Sequence, residues 1–284
     1  MPSLRSCRTS ATSFAHSLKK SRILLALFIL SRFDQLIEFG STGFVIALIA
    51  AWFVGLSKGG LPIIAMLSVP ILSLVMSPMT GAILLLPIYI ISDAVGVWLY
   101  RKQYSLINLK RLLPAAFVGI FVGWATASVV SDALVALLVG TMGLIFVAYN
   151  WFGKQHLKAA KPASVGRGVF WGGIAGFTSF ISHTGGPPFQ MYVIPQKLDK
   201  LVFAGTSTIF FAIVNLAKLP PYMMIRPYSL DDMALTLWMV PSALLGTFMG
   251  AYLTKVLKDA WFFKLVEIGL LLVSIKLIAG VVLS

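Results

Sequence analysis

From residue 42 onward the chain is a succession of apolar stretches with barely enough polar sequence between them to turn round. They span 42–57, 61–76, 79–100, 112–130, 133–152, 169–181, 189–195, 201–225, 233–253 and 261–283. A helix needs about 20 apolar residues to cross the hydrocarbon core of a bilayer. Because no water is present there, each backbone group must be satisfied within its own segment, which makes helix the form these stretches take. The composition agrees, at 58% apolar, 11% charged and a mean hydropathy of +0.92. Water-soluble domains run at about 45–50% apolar and about 25% charged, and disorder requires the opposite balance altogether. The pattern predicts an all-α polytopic membrane protein with about eight transmembrane helices, or up to about ten segments when broken hairpins are counted in pieces.

Lys and Arg number 23 against 9 Asp and Glu, a formal charge of +14. In a soluble chain that excess would suggest nucleic acid. Between membrane helices it reports orientation, since loops on the cytoplasmic side collect Lys and Arg. Three interruptions are basic: 101–111 with Arg101, Lys102, Lys110 and Arg111, 154–167 with Lys154, Lys158, Lys161 and Arg167, and 255–264 with Lys255, Lys258 and Lys264. The interruptions at 131–132 and 226–232 carry more acid than base. Placing the basic loops in the cytoplasm lets every crossing alternate, and no nucleic-acid partner is expected. The tail, residues 1–39, carries Arg5, Arg8, Lys19, Lys20, Arg22 and Arg32 before its first acid, Asp34. It reads as a poorly structured extension or an amphipathic surface helix, with a targeting segment as the alternative. The same charge accounting puts this most basic segment outside, which does not fit. Cys7 is the single cysteine, so neither a disulfide framework nor a cysteine metal site is available.

Two apolar pairs are interrupted by a glycine doublet followed by proline, Lys58-Gly59-Gly60-Leu61-Pro62 and Thr184-Gly185-Gly186-Pro187-Pro188. The doublets are offset by 126 residues, Pro70 and Pro195 by 125, and Gly81 and Gly205 by 124. This predicts a duplication of one hairpin plus three crossings. An odd number of segments makes the second copy enter from the opposite face, giving two inverted-topology repeats over 40–152 and 168–284 joined by a basic cytoplasmic linker, 153–167. Glycine permits the turn, and Pro62 and Pro188 fall in the first turn of a new helix. Two half-helix N-termini would then meet near the midplane and offer free N–H groups to an anion. The plainer alternative is that the glycines and prolines only pack and kink.

Ionisable residues inside apolar stretches ask for a reason. Lys58 and His183 precede the two breaks and would flank a bound anion; Lys58 would otherwise be a solvated turn residue and His183 a core histidine or a proton carrier. Asp93 would pair with Lys58, bind a coupling cation or relay a proton. Lys218 lies 125 residues beyond Asp93, at the matching place of the second half, where gating and snorkelling to the interface are both open. Glu267 and Lys276, near the ends of the last segment, read as paired or snorkelling. Thr184, Gln190 and Asn215, with Ser57, Ser182 and Thr206, would supply neutral hydrogen bonds. Substrate-binding candidates are therefore Lys58, Gly59, Gly60, His183, Thr184, Gly185, Gly186, Gln190 and Asn215, and coupling or gating candidates Asp93, Lys218, Pro62 and Pro188.

The runs Gly55-Leu56-Ser57-Lys58-Gly59-Gly60-Leu61-Pro62, Leu86-Pro87-Ile88-Tyr89-Ile90-Ile91-Ser92-Asp93 and Gly176 to Pro188, with Phe203-Ala204-Gly205-Thr206 and Asn215-Leu216-Ala217-Lys218, resemble the sulfite exporter TauE/SafE family of permeases. The resemblance extends from about Thr42 to Ala279 and leaves out the tail. It implies carriage of sulfite, sulfonates or related organosulfur anions across the cytoplasmic membrane, and the repeats would rock or the half-helices gate to expose the site alternately. Cargo, direction, coupling ion and oligomeric state are not readable. No phosphate-cradling loop is present, so energy would come from ion gradients or a partner. No cofactor, metal or catalytic residue is expected. The alternatives are a passive anion channel and an intramembrane hydrolase using Ser179 and His183, which share a helix face at four residues' spacing.

Overall fold

The computed structural model of the chain describes residues 40–72, 74–76, 78–127, 131–152 and 159–282. The basic tail and residues 153–158 of the linker lie outside the described residues. Among these residues there is helix and no strand. The order is α1 (Gly40–Lys58), a 3-10 helix (Pro62–Leu67), α2 (Ser68–Leu72), α3 (Pro78–Tyr100), α4 (Leu106–Thr126) and α5 (Asp132–Phe152), then α6 (Val165–Ser182), α7 (Gly186–Val193), a 3-10 helix (Ile194–Gln196), α8 (Lys200–Ile225), α9 (Leu230–Val256) and α10 (Asp259–Val282).

Five of the described helices, α3, α4, α8, α9 and α10, are long and apolar enough to cross a bilayer by themselves. The 21-residue α5 and the broken pairs α1/α2 and α6/α7 make up the remaining apolar segments. Helix boundaries differ from the hydropathy reading in one consistent way. α4 begins at Leu106 and takes in Lys110 and Arg111, α6 begins at Val165 and takes in Arg167, and α10 begins at Asp259 and takes in Lys264. The basic "loops" are thus partly the first turns of helices, because charge at the interface lowers hydropathy without ending the backbone ladder. Polar ends are capped where the sequence allows it. The Asp199 carboxylate accepts from Leu201 and Val202 N–H, and Ser229 and Asp232 form a reciprocal capping box at the start of α9. Arg226 then pairs with Asp232 at 2.9 Å.

The helices pair reciprocally: α4 packs on α6 and α9 on α1, α3 on α8, and α5 on α10. Two of these contacts are built from glycine. On α1/α9, Gly55 and Gly59 face Gly246 and Gly250; on α4/α6, Gly119 packs on Gly173 and Phe177, Gly123 on the Phe180 ring, and Gly172 and Gly176 on the backbone of Leu112 and Ala116. A methyl at Gly246 would stand 2.3 Å from the Trp52 carbonyl oxygen, and one at Gly176 would stand 2.1 Å from that of Ala116. Backbone therefore touches backbone, the close packing that small residues at i, i+4 permit where no hydrophobic force separates helix from lipid. α5 and α10 add a side-chain link from Trp151 Nε1 to Glu267 Oε2 at 2.9 Å, which accounts for the acid in the last apolar segment. Side chains such as Leu245, Phe248 and Leu272 point outward from α9 and α10, which suits an apolar solvent. Prolines inside α3, α4, α8 and α9 are tolerated in such helices because neighbours re-satisfy the freed carbonyls.

Candidate functional site

α1 and α6 both stop in the middle of the molecule, and each stops for a local reason. α1 ends at Lys58, and the turn is made by Gly60 at φ 116°, a backbone that side chains rarely adopt. α6 ends on His183 at φ 54°, a left-handed residue without being glycine; histidine is among the few residue types enriched there. Both breaks therefore present a cation-capable side chain at a helix C-terminus, the end whose dipole favours positive charge.

The two breaks converge. A Cβ on Gly186 would lie 3.6 Å from the Pro62 carbonyl oxygen, so the re-started segments meet head to head. Between them and the faces of α3 and α8 is a small cavity of about 20 Å³, the size of a single ordered water. Lys58, Pro62, His183, Gly186 and Asn215 line it, together with Tyr89 and Ser179.

Three charged side chains are buried here. Lys58 Nζ is 2.8 Å from Asp93 Oδ1, with both side chains about 5% exposed or less. Asn215 Nδ2 donates to the other carboxylate oxygen at 2.7 Å. The Lys58 ammonium also lies over the Tyr89 ring at 4.9 Å and the Phe211 ring at 5.6 Å. Lys218 is fully buried. It does not snorkel; its Nζ donates to Ser179 O at 3.1 Å, Ser179 Oγ at 3.2 Å and His183 Nδ1 at 3.0 Å. Those three acceptors use all three N–H groups of an ammonium. His183 Nε2 faces the Ala82 carbonyl at 3.1 Å, which can only accept. The partners therefore assign a neutral imidazole with its proton on Nε2. The ring is stacked on Tyr89, centroids 4.7 Å apart and planes 5° apart.

The other sequence candidates divide into two sets. Gly59, Gly60 and Gly185 are packing positions: a methyl at each would meet a neighbour at 2.5, 2.6 and 2.7 Å respectively. Gly59 O also accepts from Tyr100 OH at 2.5 Å and Thr254 Oγ1 at 3.1 Å. Thr184 is occupied with Ser182 and Thr178 at the end of α6. Ser57 lines the cavity with its hydroxyl donating to the Val54 carbonyl of its own helix, whereas Thr206 accepts the Ser105 N–H away from the cavity. Gln190, fully buried on α7, has no hydrogen-bond partner for either amide atom among the described residues. Gly186 alone of the four glycines opens on the cavity. The expectation of a helix end rich in free N–H groups fails at α7: of its first three residues, Pro187 and Pro188 carry none. The first re-start is a 3-10 helix led by Pro62. The positive character of the site therefore comes from side chains. Ser179 Oγ and His183 Nδ1 are both bonded to the Lys218 ammonium, which stands between the two residues.

Three aromatic groups of the site were not anticipated. Tyr89 and Tyr222 sit four residues from Asp93 and Lys218 on their helices, and Tyr222 OH donates to the Phe180 carbonyl at 2.6 Å; Phe211 faces Lys58. A tyrosine one turn from an intramembrane charge was the available signal.

Charges buried this deep in an apolar helical body mark solute and ion pathways, and the molecule is a multi-pass membrane protein of the transport class. The chain belongs to the sulfite exporter TauE/SafE family, whose family model matches residues 43–277. No curated protein and no solved structure matches the chain. The family is one of membrane exporters of sulfite-type anions.

Proposed function

We propose that this protein is a secondary transporter that carries a small oxyanion, sulfite or an organosulfonate, across the cytoplasmic membrane by alternating access, with the anion held between the two broken hairpins. The observation that carries the reading is Lys58. Its ammonium is buried on the cavity wall, and among the described residues its only ion-pair partner is Asp93 Oδ1, leaving donors for a cargo. In a low-dielectric site a pre-placed ammonium is a far stronger anion ligand than in water. Asn215, Gly186, Ser179 and His183 continue the wall, with Lys218 behind them. The small volume suits a closed state, which widens to admit cargo on either side.

Reciprocal pairing of α1 with α9 and α6 with α4, of α3 with α8 and of α5 with α10 supports two inverted repeats, 40–152 and 168–284, related by a pseudo-two-fold axis. The test is counterflow of labelled sulfite in proteoliposomes. Wild type is expected to show saturable exchange, lowered about 100-fold by Lys58→Met. Flux that rises linearly with concentration, or a Lys58→Met protein that exchanges as wild type does, would reject the reading. Replacing both glycine doublets would be a poor test, since three of the four glycines admit no methyl. Gly186→Ala is the sharper change, because its neighbours stand at 3.6–3.8 Å and the methyl enters the cavity.

A further inference from the structure

Asp93 stands behind the cavity wall, held from two sides. Lys58 grips Oδ1 at 2.8 Å and Asn215 grips Oδ2 at 2.7 Å, and both of these residues themselves line the cavity. Oδ1 has no partner other than that ammonium. The charged and titratable groups around it are few. Lys58 comes from α1, Lys218 from α8 is the second ammonium whose charge acts on it, Tyr89 lies one turn earlier on its own helix, and the neutral His183 comes from the end of α6. α2 carries no charged residue, and Asp231, Asp232 and Lys255 of α9 lie at the ends of that helix. One carboxylate and one anion would therefore compete for the same ammonium.

We infer that Asp93 is the cargo's internal competitor and takes up a proton whenever an anion draws Lys58 away from it, so that one proton travels with each anion. The inference rests on the transport reading above. When the anion enters, Lys58 turns its N–H groups from Oδ1 to the cargo. The carboxylate, still buried and now without its countercharge, cannot stay ionised at low cost. It binds a proton delivered by water in the open cavity, forming an O–H bond on Oδ1. On the other face the anion departs, Lys58 returns to Oδ1, and the proton is released to water there. No group of the protein is changed over the cycle, and for a monovalent anion the charge on the mobile cluster is constant, because its one charge is matched by one proton on Asp93; a dianion such as thiosulfate carries one net negative charge with it. His183 does not fill this role, since both its nitrogens are engaged by Lys218 and Ala82.

The experiment uses the full chain in proteoliposomes, with the membrane potential clamped by potassium and valinomycin and a pH-sensitive dye inside. The probes are methanesulfonate and thiosulfate, which stay ionised throughout the working range, so any proton moved belongs to the protein. Wild type is expected to move one proton per anion during net uptake. Asp93→Asn is expected to reduce net uptake at least about tenfold and to move no protons with whatever anion flux remains. Saturable wild-type net uptake with no accompanying proton flux would overturn the inference while leaving the transport reading standing, as would Asp93→Asn protein that still moves one proton per anion. Should Asp93→Asn carry no anion at all, Asp93→Glu decides: a ratio of one at an altered pH midpoint supports the inference, and a ratio of zero overturns it. No saturable exchange of either probe or of sulfite by wild type removes the transport reading and the inference with it.

Discussion

The two breaks occupy the same place in their halves, yet each is tied down by different chemistry. At the first, the cation is on the break itself, Lys58, and its tether is an acid on the third helical segment of that half, Asp93 on α3. At the second the arrangement is transposed. The break carries a neutral histidine, and the ammonium is on the equivalent helix, Lys218 on α8. Asp93 and Lys218 are the residues 125 positions apart, so under the proposed duplication one position carries an acid in one copy and a base in the other. Asn215, three residues before Lys218, reaches across to Asp93 and joins the two tethers. A shared architecture has thus been filled asymmetrically, with a labile ion pair at one break and a fully satisfied ammonium at the other.

That contrast can be attacked directly. The largest effect is expected from Lys58→Met. It leaves Asp93 unpaired, which for a buried pair costs about 3–5 kcal/mol, and it lowers sulfite uptake by about 100-fold, some 2.7 kcal/mol of barrier. Adding Asp93→Asn should return the melting temperature toward wild type without restoring uptake; recovery of uptake would show that Lys58 only holds the fold. Next comes Lys218→Met, which strands the Ser179 and His183 acceptors at about 1–3 kcal/mol and slows uptake about tenfold. A loss equal to that at Lys58 would mean that the second break also supplies a cargo ligand. Gly176→Ala and Gly246→Ala probe whether the two glycine interfaces are equivalent. Each sets a methyl against a carbonyl oxygen, and each should destabilise by about 1–3 kcal/mol in thermal melts; silence at one of them would break the pairing of the halves. The smallest change in stability belongs to Gly186→Ala, within about 1 kcal/mol, but uptake should fall because the cavity is filled.

Much of this was legible in the sequence because the membrane makes charge expensive. Lys58, Asp93, His183 and Lys218 stood out as ionisable residues in apolar runs, and all four are gathered at the cavity or directly behind it. The glycine doublets correctly marked the two breaks. Their role was harder to read: spacing identifies a turn but not what presses against it, and Gly59, Gly60 and Gly185 are filled in by neighbouring backbone and side chains. Pro187-Pro188 could have warned that α7 has few N–H groups to offer. Helix starts were misplaced where Lys110, Arg111 and Arg167 occupy first turns, since hydropathy measures cost in lipid, not hydrogen bonding. The i, i+4 glycine pairs at 55/59, 119/123, 172/176 and 246/250 were present in the letters as the interface pattern they proved to be.

Those glycine pairs have a mechanical meaning. Surfaces in contact at carbonyl-to-Cα range have no side-chain layer to shear, so α1 with α9, and α4 with α6, behave as two welded plates. Each plate takes its broken helix from one sequence half and its partner from the other. On the proposed alternating-access reading, the seams along which the molecule would yield therefore do not follow the proposed duplication. They would run inside each half, and the joint that opens the cavity would belong to the stretch from Gly59 to Asp93 and its counterpart from Gly185 to Lys218.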